Sequence, residues 1–174
     1  MRTIALITIF VILGGAAMVT LFTSTRDDGG TSAGGRSLGS VDGISLDGFD
    51  SPEKIELASF EGRPLVLNYW ASWCLFCIEE MPDFQNVYER VKDRVHFIGV
   101  NVRDDLSAAR GLAKATGVKY PLASDPKGEI YQRLRGVAMP TTWFVDKVGR
   151  IVERFSGPLT APELADRIRE HFGA

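Results

Sequence analysis

The feature that most limits the fold of this chain is a buried strand that leads directly into a helix carrying its only two cysteines. Residues 64–70, PLVLNYW, are almost all apolar, which is typical of a strand covered on both faces. Residues 75–92 are predicted to form the helix, so Cys74 lies at its start and Cys77 one turn later. The free backbone N–H groups and the helix dipole there favour a thiolate. The two thiols are therefore placed to form and break a disulfide without refolding the domain.

The strands and helices predicted on both sides of this segment have the order of an α/β domain. The predicted elements are a leading β-hairpin at 44–57, a strand at 95–102, a helix at 106–116, a short strand at 118–123, a short helix at 129–134, a hairpin at 141–155 and a helix at about 161–172. We therefore predict a mixed, partly parallel central sheet flanked by helices, with 118–134 as a central strand and helix insertion. Ligand sites in such sheets collect at the carboxyl ends of strands, where the Cys74 loop lies.

An apolar segment precedes this domain. Residues 3–22 carry no charged side chain, and as a helix they would span about 30 Å, the thickness of a bilayer core. We therefore predict a membrane anchor at residues 1–23, a flexible Gly/Ser-rich linker at 24–40 and a folded domain at 41–174, on the extracytoplasmic side of the cell membrane. A cleaved signal peptide, giving a secreted or periplasmic protein, is the alternative, because the small residues 15–17 follow the most apolar part.

Charge and ligand counts exclude several classes of function. The net charge is −2 and no basic run is interleaved with aromatic residues, which argues against a nucleic-acid-binding protein. A zinc site needs four ligands, and beyond one CxxC the chain has only His96 and His171, so we predict no metal and no cofactor. A hydrolase of the Cys-His type is poorly supported, since His96 lies inside a predicted strand. Outside the cytoplasm, a bridge between the only two cysteines is expected to be redox-active rather than structural.

Two motifs together carry a resemblance to a known family. Residues 68–82, NYWASWCLFCIEEMP, followed downstream by residues 139–142, MPTT, resemble the TlpA/ResA/DsbE branch of the thioredoxin-like family, and the similarity covers roughly residues 41–174. The resemblance implies a thioredoxin-like fold and a membrane-anchored thiol-disulfide oxidoreductase. It also implies that Cys74 is the nucleophile, that Cys77 is the resolving thiol, and that Pro140 is a cis-proline beside them. Such a proline would present the backbone of Met139 to an extended substrate strand.

Glu80 is a further candidate for the catalytic site. It lies about 60° around the helix from Cys77, whereas Glu79 lies about 160° away, so only Glu80 shares the active-site face. The WCxxCxxE pattern of the family ends at Glu80, and thioredoxin itself carries a buried Asp at the position of Asn68. Our hypothesis is that Glu80 shuttles protons for Cys77 and raises the thiol pKa values by like-charge repulsion. The alternative is a solvated helix carboxylate.

Bulky apolar residues surround the predicted nucleophile. Leu75 and Phe76 replace the Pro or Gly often found between redox cysteines, and an apolar environment disfavours a thiolate. We interpret them as a docking patch for hydrophobic or unfolded substrates, with a packing role as the alternative. Trp73 is predicted to form an exposed lip of the site, whereas Trp70 on the buried strand is predicted to lie in the core. The candidate substrate-binding residues are Trp73, Leu75, Phe76, Met139 and Pro140.

The sequence thus predicts an extracytoplasmic thiol-disulfide oxidoreductase that acts on protein dithiols and disulfides. We predict a reductase, with cytochrome c maturation as the substrate class that the resemblance implies. A membrane thiol-disulfide protein would be its electron donor or acceptor. The alternatives are an oxidase that donates its disulfide to secreted proteins, and a redox-inert binding or copper-handling module. A peroxidase of the peroxiredoxin type is disfavoured, because no Thr is placed to activate peroxide near a lone cysteine.

Overall fold

The structure, a computed structural model, describes residues 38–174, which contain seven strands, four α-helices and a short 3-10 helix at Leu57–Phe60. The strands are β1 (Ser45–Gly48), β2 (Lys54–Glu56), β3 (Leu65–Trp70), β4 (His96–Val102), β5 (Leu122–Asp125), β6 (Thr141–Val145) and β7 (Ile151–Ser156). The helices are α1 (Leu75–Val91), α2 (Leu106–Thr116), α3 (Glu129–Arg133) and α4 (Ala161–Phe172). The predicted anchor and residues 24–37 of the predicted linker lie outside the described residues. Within 38–174, no helix has both the length and the apolarity needed to cross a membrane.

The strands form one mixed sheet in the order β2-β1-β5-β4-β3-β6-β7. Strands β3, β4 and β5 are parallel, whereas β6 runs antiparallel to β3, and the outer pairs are also antiparallel. The predicted mixed α/β sheet is therefore confirmed. Because Trp70 pairs with Asn101 and Tyr69 pairs with Thr141, the carboxyl ends of β3 and β4 and the amino end of β6 meet at one edge of the sheet.

Apolar side chains cover the sheet on both faces. Alternate residues of β3 point to opposite sides, as a strand requires. Leu67 and Tyr69 pack with α3 and the segment before β1, while Val66 packs with α1 and α4. The buried helix residues on the second face include Phe84, Val87, Leu164 and Ile168. Helix α1, which carries Cys77 and Glu80, is thus fixed against the middle of the sheet.

Gly99 on β4 lies close to the aromatic rings of Tyr120 and Trp70. A Cβ atom at this position would come within 2.8 Å of both Tyr120 Cε2 and Leu122 Cδ2, and within 3.2 Å of Trp70 Nε1. We expect Gly99→Ala to lower the free energy of unfolding by about 1–3 kcal/mol, because the rings and β4 must move apart. Urea unfolding measures the change.

The matched control is Gly111→Ala in α2. A Cβ there meets no atom within 4 Å, so the same substitution should stabilise the protein by about 0.5–1 kcal/mol through helix propensity. An equal effect of the two substitutions would contradict the proposed crowding at Gly99.

Two predicted boundaries differ from the structure. Residues 38–40 belong to the folded part rather than to the linker, since the Leu38 N–H donates to the Ile151 carbonyl at 3.1 Å and Ser40 bridges to Arg150. The sequence of these residues, Leu-Gly-Ser, gave no sign of this backbone pairing. The short strand predicted at 118–123 lies instead at 122–125. Val118 and Tyr120 lie in the loop before the strand and pack against the core. The strand ends with two buried polar residues, Ser124 and Asp125.

Candidate active site

Cys74 and Cys77 form a disulfide at the start of α1, with sulfur atoms 2.11 Å and Cα atoms 5.3 Å apart. Cys74 is the N-cap residue, and its sulfur accepts a hydrogen bond from the Cys77 N–H at 3.2 Å. The predicted position between β3 and α1 is therefore confirmed. Cys74 is 6% exposed and Cys77 is fully buried. An incoming thiolate consequently reaches the sulfur of Cys74 before that of Cys77.

Glu80 lies one turn after Cys77 and is only 3% exposed, so the alternative of a solvated carboxylate is wrong. Asn68 Nδ2 donates to its Oε1 atom at 2.8 Å, and the Leu159 N–H donates to Oε2 at 3.0 Å. Burial raises the pKa of Glu80 to about 7, while the two hydrogen bonds oppose this increase. A carboxyl group with such a pKa can accept or release a proton near neutral pH.

The loop before β6 contains the predicted proline. The Met139–Pro140 peptide bond is cis, as the resemblance implied, and Pro140 is buried. The Pro140 carbonyl accepts from the Gly157 N–H at 2.9 Å, and the Ala138 carbonyl accepts from the Tyr131 hydroxyl at 2.5 Å. Met139 packs against the apolar cluster that contains Cys74 and Cys77. Two hydrogen bonds thus hold the loop, and Met139 packs against the cluster that includes the disulfide.

Exposed apolar side chains surround this edge of the sheet. Trp73, Leu75, Phe76 and Val137 are between 55% and 78% exposed, whereas Trp70 is fully buried. Leu75 and Phe76 therefore do not pack into the core, and both predictions about the exposure of the tryptophans are confirmed. The sequence reasoning missed Val137. Its only sequence signal is an apolar residue two positions before Met139.

Asp104 is a second residue that sequence reasoning missed. Its carboxylate accepts from the Ser72 N–H at 2.5 Å, from Ser72 Oγ at 2.7 Å and from Asn101 Nδ2 at 2.8 Å. Partial burial raises the pKa of Asp104, but the bonds from Asn101 and Ser72 outweigh this and hold it below its ordinary value. Nearby, Trp73 Nε1 donates to the Arg103 carbonyl at 3.2 Å. The loop after β4 thereby fixes the residues that precede Cys74. The sequence signal that could have found Asp104 is that β3 and β4, joined by a helix, are expected to be adjacent parallel strands, whose following loops lie close together.

The histidines lie elsewhere. His96 begins β4, at the opposite edge of the sheet from the disulfide, where its Nδ1 atom is 3.3 Å from Arg63 Nη2. His171 near the end of α4 lies 2.7 Å from the Glu153 carboxylate. Neither histidine is placed to act with Cys74 as in a Cys-His hydrolase. In the part of the chain that the structure describes, no three His, Cys, Asp or Glu side chains converge to hold a metal ion.

Known proteins share both the sequence pattern and the fold. Residues 42–168 match the Redoxin family. The thiol-disulfide oxidoreductase ResA of Bacillus thuringiensis subsp. konkukian is 30% identical over 119 residues, which cover 68% of this chain and 69% of that protein. ResA of Bacillus anthracis is 29% identical over 171 residues, 97% of this chain and 96% of that protein.

Among solved structures, the DsbF homologue from Corynebacterium diphtheriae superposes with a TM-score of 0.67. It is 34% identical in sequence, and the match covers 73% of this chain and 83% of that one. The paired cysteines after β3, the cis-proline before β6 and these similarities agree with one another. The chain belongs to the redoxin family and, within it, to the thioredoxin-like thiol-disulfide oxidoreductases of the TlpA, ResA and DsbE type.

Proposed function

We propose that this protein is an extracytoplasmic reductase that passes electrons from Cys74 and Cys77 to disulfides of other proteins. The observation that carries the proposal is the unequal exposure of a disulfide at a helix N-terminus, with Cys74 6% exposed and Cys77 fully buried. In the reduced protein, the Cys74 thiolate attacks a substrate disulfide and one substrate thiolate leaves. The Cys77 thiolate then attacks Cys74, the mixed disulfide breaks, and the second substrate thiolate leaves. The protein ends with its own disulfide.

Glu80 has the proton-transfer role in this scheme. The Cys77 thiol must lose its proton before it attacks, and Glu80 is buried on the same helix one turn away. Its pKa of about 7 supports the proposal that Glu80 takes this proton near neutral pH. When both groups are ionised, their like charges repel, which raises the thiol pKa.

The apolar residues around the disulfide are proposed to bind substrate. Trp73, Leu75 and Phe76 are exposed next to Cys74 in the chain. Met139, which precedes the cis-proline, packs against the apolar cluster that contains Cys74. Contact with apolar side chains of a partner removes this surface from water. The surface therefore suits a cysteine in an apolar, partly unfolded segment. Apocytochrome c is our proposed substrate class, and a membrane thiol-disulfide protein is the proposed electron donor.

The apolar segment at residues 3–22 supports the proposed membrane attachment. Residues 24–37 would then link the anchor to the folded domain. Fractionation of cells that express the full chain tests this arrangement, since an anchored protein stays with the membranes after washing at high salt. Release into the soluble extracytoplasmic fraction would favour signal cleavage.

The direction of electron flow is tested by the reduction potential of the Cys74–Cys77 pair. Equilibration of the purified protein with glutathione or dithiothreitol buffers should give a value closer to about −270 mV than to about −120 mV, the ends of the range from reductants to strong oxidants. Alkylation in intact cells should then trap both thiols mainly in the reduced form. A potential at the oxidising end, together with a disulfide in cells, would instead support the oxidase alternative.

A further inference from the structure

Asn68 is a buried polar residue in the middle of β3, and its amide contacts Glu80 directly. It is 2% exposed and pairs in register with Gly99 on β4 and Thr142 on β6. Its Nδ2 atom donates to Glu80 Oε1 at 2.8 Å and to Thr142 Oγ1 at 3.1 Å. Its Oδ1 atom has no hydrogen-bond partner among the described residues. The amide therefore faces Glu80 and Thr142 with the same end.

The protonation state of Glu80 decides which end of this amide can face it. A carboxylate only accepts hydrogen bonds, so it requires the NH2 group of Asn68. A carboxylic acid on Oε1 can instead donate to the amide oxygen. Thr142 suits both arrangements, because a hydroxyl donates as well as accepts. Thr142 therefore does not choose between the two orientations.

The two orientations differ in the atom that is left unpaired. With the NH2 group toward Glu80, a carbonyl oxygen lacks a partner, as observed. If the carbonyl of Asn68 pointed toward Glu80, the two N–H groups of its amide would be the unpaired atoms instead. Unpaired buried N–H groups are rarer in proteins than unpaired carbonyl oxygens. The surroundings of Asn68 consequently favour the orientation that stabilises the Glu80 carboxylate.

We propose that Asn68 is a positioning residue that holds Glu80 as a proton acceptor and sets the pH above which Glu80 can take the proton of Cys77. The consequence for catalysis rests on the proposed thiol-disulfide exchange, whereas the contact with Glu80 does not. Asn68 touches neither sulfur in this scheme and acts through Glu80.

None of the other side chains described around Glu80 changes its charge in the pH range in which Glu80 titrates. Asn68 is therefore the side chain that influences the pH at which Glu80 loses its proton. On the same helix, Cys77 is in the disulfide and does not titrate in the oxidised protein. From the loop before β5, Tyr120 faces Glu80, and burial raises the pKa of its phenol far above the ordinary value. Thr142 on β6 is uncharged, and the loop before α4 contributes only the Leu159 N–H.

The test is an infrared titration of the carboxyl band of Glu80 in the oxidised full-length protein, with Glu80→Gln as the subtraction reference. In Asn68→Asp, two buried carboxyl groups share a proton, so the midpoint for loss of the last proton should rise by about one pH unit or more. Asn68→Leu, which has a similar size and no amide, should raise the midpoint by less. Asn86→Asp, the same change on the exposed face of α1, should leave it unchanged.

The outcomes separate this inference from the proposed function. A midpoint in Asn68→Leu that equals the wild-type value would overturn the inference, and this variant decides the matter even where Asn68→Asp fails to fold. Exchange between the reduced proteins and glutathione disulfide, measured against pH, should shift in parallel with the carboxyl titration. If the carboxyl midpoint shifts while the wild-type protein shows no exchange, the role of Asn68 stands and the proposed function fails.

Discussion

Replacement of Cys74 by Ser is expected to slow thiol-disulfide exchange by at least about 1000-fold, to the background rate. Serine has nearly the same size and keeps the N-cap position, but its hydroxyl does not attack a disulfide at neutral pH. Cys77 alone cannot substitute, because it is fully buried. The measurement is the rate at which the reduced protein reduces the disulfide bonds of a fluorescently labelled protein substrate.

Replacement of Cys77 by Ala gives the complementary result. Cys74 still attacks, but nothing resolves the mixed disulfide, so covalent complexes should accumulate and should disappear on addition of dithiothreitol. The double variant, without either thiol, is the control. If Cys77→Ala forms no covalent complex with any protein in extracts, the redox-inert binding module becomes the better explanation.

Replacement of Glu80 by Gln is expected to remove a large pH dependence of stability. The folded-state pKa of Glu80 is about 7, compared with an ordinary value of 4.5. Between these pH values, the folded protein keeps a proton that the unfolded chain has lost, so the free energy of unfolding falls as the pH rises. This contribution is fully present below about pH 4.5 and is lost as the pH rises through about 7. The loss amounts to about 3 kcal/mol.

Urea unfolding of the oxidised protein from about pH 5 to 8 measures this effect, and glutamine should flatten the curve because it does not titrate. Glu79→Gln is the matched control, since Glu79 is the neighbouring carboxylate and is exposed. In the reduced protein, Glu80→Gln should also lower the thiol pKa values and slow the step in which Cys77 attacks. Parallel stability curves and unchanged thiol pKa values would together contradict the proposed role of Glu80.

The sequence predicts the parts of the site that depend on local pattern. A continuous apolar run identifies β3, and helical geometry places Glu80 rather than Glu79 on the same side as Cys77. Contacts between distant segments are not visible in this way. Leu159 lies 79 residues from Glu80 along the chain, yet its N–H holds one carboxylate oxygen. Burial of Glu80 depends on such contacts, so the sequence could not decide between a buried and a solvated carboxylate.

The error at β5 has a related cause. Ser124 and Asp125 are polar, and hydrophobic pattern alone assigns polar residues to a loop. In the folded chain they are buried, and Asp125 Oδ2 accepts from the Tyr131 N–H at 2.7 Å. Asp104 was missed because one of its partners is far away in the sequence. Its partners include Ser72, which is distant in sequence and becomes a neighbour only when β3 and β4 pair.

The pairing of residues 38–40 beside β7 determines where the folded part of the chain can be attached to other molecules. Ile151 is at the amino end of β7, which runs in the same direction as β3 because each is antiparallel to β6. The polypeptide therefore enters the fold at the opposite end of the strands from Cys74, and six residues of β3 separate the two ends by about 20 Å. A fusion partner, purification tag or solid support joined just before Leu38 would consequently leave the disulfide face open to large substrates.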